Sequence, residues 1–164
     1  MTIDSMWLSD DVEWMEEALQ QARRASEKGE VPVGAVLVRG GEVLARAHNL
    51  VVTRHDPTAH AELLALHEGA QRLENERLIG ATLYTTLEPC AMCAGAMILA
   101  RIDRVVFGAW DPKAGALGST LNLTAYGNHR LHVAGGMLAE ASQALLQGFF
   151  QTRRSKSSKN FIPL

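Results

Sequence analysis

Apolar positions recur at three- and four-residue steps near the start of the chain, at Met15, Ala18, Leu19, Ala22 and Ala25. That spacing predicts an amphipathic helix from a cap at Ser9 or Asp10 to about residue 28. Acids crowd its first turns and Gly29 ends it. The period then changes. Residues 33–38 read as a buried strand, Gly40-Gly41 as a tight turn and 42–48 as the return strand. Residues 49–58 are polar and predict a loop. A helix from there to about residue 73 places His60, Leu63, Leu64, His67 and Ala70 along one stripe, with His67 as a packing or rim residue. Residues 81–86 predict a strand that leads straight into Glu88-Pro89-Cys90. The helix that follows is rich in small and apolar residues, from Ala91 to Leu99, and such helices are expected to be buried. A strand at 104–109 comes next, then a loop over 110–122, a short strand at 130–134 and a final amphipathic helix at 138–154. Gly148 weakens that last helix near its end.

Strands alternating with helices imply an α/β fold: a three-layer α/β/α sandwich with a mixed sheet of about five strands. No repeat or linker interrupts the 164 residues, which reads as one domain with a loose leader at 1–8 and a basic, apolar tail at 155–164. Hydrophobic content of 47% and charged content of 21% are ordinary for a globular chain. Net charge is −2, so no global basic bias points to nucleic acid. The distribution says more. Residues 1–30 hold eight acids against Arg23, Arg24 and Lys28, whereas 101–164 hold eight bases against Asp103, Asp111 and Glu140. The basic end either contacts phosphate or is a solvated terminus. No apolar run approaches membrane length and no signal peptide is visible, so a cytoplasmic, non-membrane protein is expected.

The candidate chemistry sits in two segments thirty positions apart: Pro57-Thr58-Ala59-His60-Ala61-Glu62 and Leu87-Glu88-Pro89-Cys90-Ala91-Met92-Cys93. Two thiolates and one imidazole form a soft, three-donor set that suits one zinc ion with its fourth position open to water. Cys90 and Cys93 at i and i+3 share a face of a helical turn. Pro57 and Pro89 fit first helical positions, so two helix N-termini would point at one spot and favour thiolate and hydroxide. Zinc, two thiolates and a neutral imidazole sum to about zero charge, so such a zinc acidifies water less than an all-histidine site. A nearby base is then needed, and Glu62 is the candidate to take the water's proton. Two blander readings stand beside this one. A structural zinc would need a fourth ligand from His48, His55, His67, His129, His132 or a carboxylate. A redox pair would predict a reversible Cys90–Cys93 disulfide.

Together the segments spell H-x-E … P-C-x-x-C, which resembles the zinc nucleobase deaminases. Over residues 30–154 the chain more closely resembles the bacterial tRNA-specific adenosine deaminases, within the cytidine-deaminase-like fold. The resemblance is carried by Glu30-Val31-Pro32-Val33-Gly34-Ala35-Val36, His55-Asp56-Pro57-Thr58-Ala59-His60-Ala61-Glu62 and Thr86-Leu87-Glu88-Pro89-Cys90. Arg104-Val105-Val106-Phe107-Gly108-Ala109, Asn128-His129-Arg130 and Phe149-Phe150 with Arg153-Arg154 extend it. The metal motif alone identifies the superfamily; the segment from Phe107 to Ser119 and the Phe-Phe-x-x-Arg-Arg end narrow it.

The resemblance implies conversion of adenosine to inosine at the wobble position of a tRNA anticodon, chiefly an arginine tRNA. It implies zinc on His60, Cys90 and Cys93, attack of hydroxide on C6, and a proton passed by Glu62 to a ring nitrogen and the leaving ammonia. It also implies that the Ala61 N–H helps hold the reacting centre, that Asn49 bonds the flipped base and that Asp111 lies near the ribose. A homodimer shares the anticodon loop. Phe149 with Arg153 and Arg154 would offer an aromatic face beside cations to loop bases and phosphates, with one of Phe149 and Phe150 in the core and one on the surface. Trp110, beside Asp111, and Leu117 depart from the family pattern. The rival readings are a free-base or nucleoside deaminase of the same fold, acting on guanine, cytosine or cytidine, and a zinc-stabilised RNA-binding subunit without catalysis.

Overall fold

The hairpin forms where the pattern changes period. Strands β1 (Gly34–Arg39) and β2 (Glu42–His48) pair antiparallel across Gly40 and Gly41, both at positive φ, as a two-residue turn requires. The structure, a computed structural model, describes residues 7–159. Around the hairpin lie α1 (Asp11–Glu27), α2 (Val51–Arg54), α3 (Ala61–Leu73), β3 (Ala81–Leu87), α4 (Ala91–Leu99), β4 (Arg104–Ala109), β5 (His132–Gly135) and α5 (Ala139–Lys159). The sheet order is β2-β1-β3-β4-β5. β1 runs antiparallel to both neighbours, while β3, β4 and β5 are parallel. The carboxyl ends of β2, β3 and β4 therefore share one edge of the sheet.

Period-two alternation divides the core into the two expected layers. Ala35, Leu37, Leu83, Val105 and Phe107 face α3 and α4 in one buried cluster with Ala65, Leu66, Met97 and Ile98. Val36, Val38, Tyr84, Val106 and Ala134 face the other way, onto Met15 and Ala18 of α1. Each large side chain so buried contributes about 1.5–3 kcal/mol. Gly34 lets α1 lie against the start of β1: a Cβ there would meet the backbone at Ala18 and Ala22. Gly108 does the same for α5, whose buried Ser142 fills the place of a side chain.

Several expectations are corrected. The polar stretch 49–58 contains the short helix α2, closed by His55 at φ 51°. The buried face of α3 is Ala61, Glu62, Ala65, Leu66 and Gly69, and His67 is exposed. Helix α4 is only half covered, with Met92 38% and Leu99 81% exposed. Helix α5 runs past residue 154 to Lys159, while 160–164 and most of the leader, 1–6, lie outside the described residues. Trp7 packs beside Met15 and Val36.

Neither Ser9 nor Asp10 caps α1 with its side chain; Ser9 bonds Asp10 instead. The next residue takes over. Asp11 is fully buried and accepts from the Leu8 N–H at 2.7 Å, the Tyr84 hydroxyl at 2.9 Å and the Arg104 guanidinium at 2.7 Å on each oxygen. This fork pins the start of α1 to β3 and β4. Burial works to raise the Asp11 pKa, but the Arg104, Leu8 and Tyr84 contacts outweigh it and hold the carboxyl below its ordinary 3.8. Its stabilisation is complete above about pH 4 and is lost as pH falls through the lower folded value. Asp11→Asn strands Arg104 and is expected to cost about 3 kcal/mol near neutrality. Urea unfolding at neutral pH and at about pH 3 checks this: the gap between wild type and variant should narrow in acid.

Candidate active site

Each helix that carries chemistry begins one residue after a potential ligand. His60 is the N-cap of α3 and Cys90 the N-cap of α4, both in extended conformation, with φ −71° and −73°. That corrects the roles of Pro57 and Pro89, which lie outside the helices, Pro57 in the turn before α3. The Pro89 carbonyl instead accepts the Ala116 N–H at 2.8 Å. Cys93 follows in the first turn of α4 and is fully buried.

His60 Nδ1 lies 3.7 Å from Cys90 Sγ and 3.5 Å from Cys93 Sγ. Zinc–sulfur and zinc–nitrogen bonds of about 2.3 and 2.0–2.1 Å at a tetrahedral angle set an S···N edge of about 3.6 Å, so the three donors fit that ion. Among the described residues this is the one group of three or more His, Cys, Asp or Glu side chains that could hold a metal, its donor atoms all within 4.8 Å of one another. Among the described residues no further histidine or carboxylate joins the three as the fourth donor that a closed structural site would need. A hydrogen bond from Cys93, then one from His60, holds Cys90 down at about 3, while the same Cys90 contact and burial push Cys93 up.

Glu62, in the first turn of α3, is 4% exposed. Burial is the main reason its carboxyl is raised to about 7; its own backbone N–H and His60 pull the other way. It lines a cavity of about 230 Å³ with His60, Cys90, Asn49, Asp111 and Glu88. The cavity opens at the carboxyl ends of β2, β3 and β4, where sites in such sheets generally sit. Asn49 follows β2 directly, is 8% exposed and is anchored by its N–H to the Val33 carbonyl at 3.1 Å. Asp111 follows β4. Its Oδ1 accepts the N–H groups of Lys113 and Ala114 at 3.0 and 3.2 Å, and the residue lines the cavity.

The remaining sequence candidates are elsewhere. Phe149 is 9% exposed beneath Arg153, whose guanidinium stacks 4.8 Å from the ring centroid and donates to the Gly29 carbonyl at 3.1 Å. Phe149, Arg153 and Arg154 do not line the metal cavity. Phe150, 44% exposed, is the surface member of the pair and shares a separate groove with Lys113, Arg153 and Arg154. The two hollows are joined by the loop 111–114.

Two buried glutamates with no role assigned from the sequence shape the site. Glu88, 1% exposed, accepts the N–H groups of Asp111 at 2.9 Å, Leu117 at 3.2 Å and Ser119 at 3.0 Å, and also the Ser119 hydroxyl. It clamps the loop after β4 over the cavity. Gly115 is required there, because a Cβ would strike the Glu88 carboxylate and the Asp111 carbonyl. Glu30, also 1% exposed, accepts from Val52 N–H, Thr53 N–H and the Thr53 hydroxyl, bracing α2 beside Asn49. Burial acts to raise its pKa, yet those donors keep it low. A signal was present: each glutamate stands at an apolar strand or turn where a charge needs a dedicated partner.

The donor set, the buried glutamate and the edge-of-sheet cavity define a zinc-dependent deaminase, and the comparisons agree. Residues 8–109 match the family described as the cytidine and deoxycytidylate deaminase zinc-binding region. A tRNA-specific adenosine deaminase of Bacillus subtilis (strain 168) is 50% identical over 151 residues, covering 91% of this chain and 94% of its own. A solved structure from work on A-to-I editing by tRNA:A34 deaminases is 45% identical, with TM-score 0.79 and coverage of 82% of this chain and 99% of that one. A guanine deaminase from Nitrosomonas europaea shares the fold at TM-score 0.73 but only 26% identity, over 87% of this chain and 85% of that one. The chain belongs to the tRNA-specific adenosine deaminases.

Glu88→Gln replaces two acceptor oxygens by one and sets an NH2 against N–H donors. It is expected to free the loop 111–119, raising amide exchange at Leu117 and Ser119 by tenfold or more, equivalent to about 1.4 kcal/mol or more of lost protection. Hydrogen exchange read by mass spectrometry checks it.

Proposed function

We propose that this chain converts adenosine to inosine at the wobble position of a tRNA anticodon loop, by hydrolysis that releases ammonia. The observation that carries the reading is the convergence of the His60–Cys90–Cys93 donors, buried Glu62, Asn49 and Asp111 on one cavity. The Bacillus subtilis relative and the tRNA:A34 deaminase structure support RNA as the substrate, and an arginine tRNA is the first candidate.

His60, Cys90 and Cys93 would hold the zinc, and the bound ion would supply the Lewis acidity that makes water a competent nucleophile near neutral pH. Glu62 does the proton work. With a carboxyl held at about 7, it accepts a proton from the attacking water as oxygen bonds to C6 and returns it to N1 of the purine. It then carries the second proton to the exocyclic nitrogen, so the C6–N bond breaks and ammonia leaves. Asn49 bonds the edge of the base. The Ala61 N–H, at the open start of α3, steadies the reacting centre. The Asp111 carboxylate accepts from the 2′-hydroxyl, a group that DNA lacks. An anticodon loop is already single-stranded, so extruding its base costs little. The chain works as a homodimer; the exposed apolar side of α4, with Met92 and Leu99, supports a covered surface there.

A substrate panel with zinc-loaded protein tests the reading. Inosine should appear in an arginine-tRNA anticodon stem-loop with adenosine at the wobble position, and free guanine, cytosine, cytidine and adenosine should stay unchanged. Glu62→Gln should lower the rate by about 10²–10⁴ with zinc content preserved. Ammonia from a free base with an untouched stem-loop would overturn the RNA assignment.

A further inference from the structure

A second concave, cationic surface lies beside the catalytic cavity, on the side of the β2 edge strand. It is a cleft of about 410 Å³ between α1, β2, α2 and α3, and its walls include Arg24, Lys28, Arg46, Arg54, His67 and Glu68. Four fixed cations thus face one carboxylate within the cleft. Arg46 is also paired with Glu17 at its rim, at 2.7 Å, and Asp56 feels the charge of Arg54. Arg24 and Lys28 form no ion pair among the described residues. Like charges gathered in a hollow repel one another and raise the local concentration of anions. The sequence had suggested the reverse, an acidic amino-terminal region. Folding sorts α1 so that Arg24 and Lys28 look into the cleft beside Arg46 of the edge strand.

The cleft is joined to the catalytic cavity through three consecutive residues. His48 and Leu50 line the cleft, while Asn49 between them lines the cavity. His48 Nδ1 lies 2.9 Å from the Asn49 carbonyl, and its Nε2 lies 3.2 Å from Lys28 Nζ. A carbonyl accepts only, so the imidazole donates from Nδ1 and receives Lys28 at Nε2. Lys28 is thereby aimed into the cleft and connected to the backbone of Asn49. On the far side of the cavity, Asp111 and Ala114 line it while Lys113 between them turns to the groove of Phe150, Arg153 and Arg154. A strand whose base enters the cavity would find cations on both sides.

We propose that the Arg24–Lys28–Arg46–Arg54 cleft binds the sugar-phosphate backbone of the RNA substrate, on the β2 side of the edited nucleotide. This rests on the RNA reading above and adds to it a site that positions without touching the reacting atoms. Phosphate contacts of this kind fix register and make affinity salt-dependent.

The test is the affinity of full-length, zinc-loaded protein for the anticodon stem-loop across a salt series, with KM for editing measured in parallel. The double variant Arg24→Gln with Lys28→Gln removes two cations of the cleft. Arg39→Gln with Arg77→Gln removes two exposed cations at the opposite edge of the sheet. The first is expected to raise Kd about tenfold and to lower the slope of log K against log salt by about 1.5, with the loss falling on KM. The second should match wild type. If both double variants behave alike while the stem-loop is still edited, the cleft proposal is overturned and the RNA reading stands. If wild type neither binds nor edits the stem-loop, both are overturned.

Discussion

Three soft donors must meet at one point and leave a fourth direction open, and the rest of this structure answers to that constraint. Two of the donors sit at helix N-caps. An N-cap residue has extended backbone, so its side chain swings out in front of the helix and not along it. His60 and Cys90 use that freedom toward each other, 3.7 Å apart, with Cys93 completing the triangle from inside the first turn of α4. The same two helix starts bring their unpaired N–H groups and partial positive charge to the spot, which favours thiolate. For both helices to begin there, β2 and β3 must end at one edge of the sheet. The antiparallel β1 between them makes that so.

The connecting segments at that edge would be loose if left to their own propensities. Buried carboxylates fix them instead. Asp11 fastens the entry to α1 against β3 and β4, Glu30 holds α2 beside Asn49, and Glu88 gathers the loop after β4 over the cavity. Each is nearly or fully buried and each has its oxygens occupied by N–H or O–H donors. Such a group is stabilising only while its partners stay in place, so it specifies one loop conformation against the others. Glu62 is the exception. It is as buried as the others, but burial outweighs its hydrogen bonds and leaves its proton affinity near neutrality, where a proton carrier is useful.

Period and punctuation made the regular elements legible. The hairpin at Gly40-Gly41 and the strand 104–109 followed from local pattern, and spacing singled out the three potential donors, His60, Cys90 and Cys93, that the fold brings together. What local pattern could not supply was pairing over distance. Asp11 reads as one more acid in a first turn, and its partner Arg104 is ninety-three residues away. Pro57 and Pro89 were expected as first helical residues because proline favours that place. The metal donors took the cap positions and pushed both prolines out of the helices. Phe149 and Phe150 are adjacent, and only the tertiary fold decides that Phe149 goes under Arg153 while Phe150 stays exposed. The basic cleft was hidden for the same reason: its cations come from α1, β2 and α2, and the stretch that contributes two of them is acidic overall.

The central claim is an open metal centre made by one imidazole and two thiolates. The most direct measurement is X-ray absorption at the zinc edge of the purified protein. The account predicts one zinc per chain with two sulfur neighbours at about 2.3 Å and two light neighbours at about 2.0–2.1 Å, one of them exchangeable. Addition of a small anion should then alter the light-atom shell and leave the sulfur shell as it was. A third sulfur, or a light-atom shell that no added ligand disturbs, would mean a closed structural site and would contradict the account.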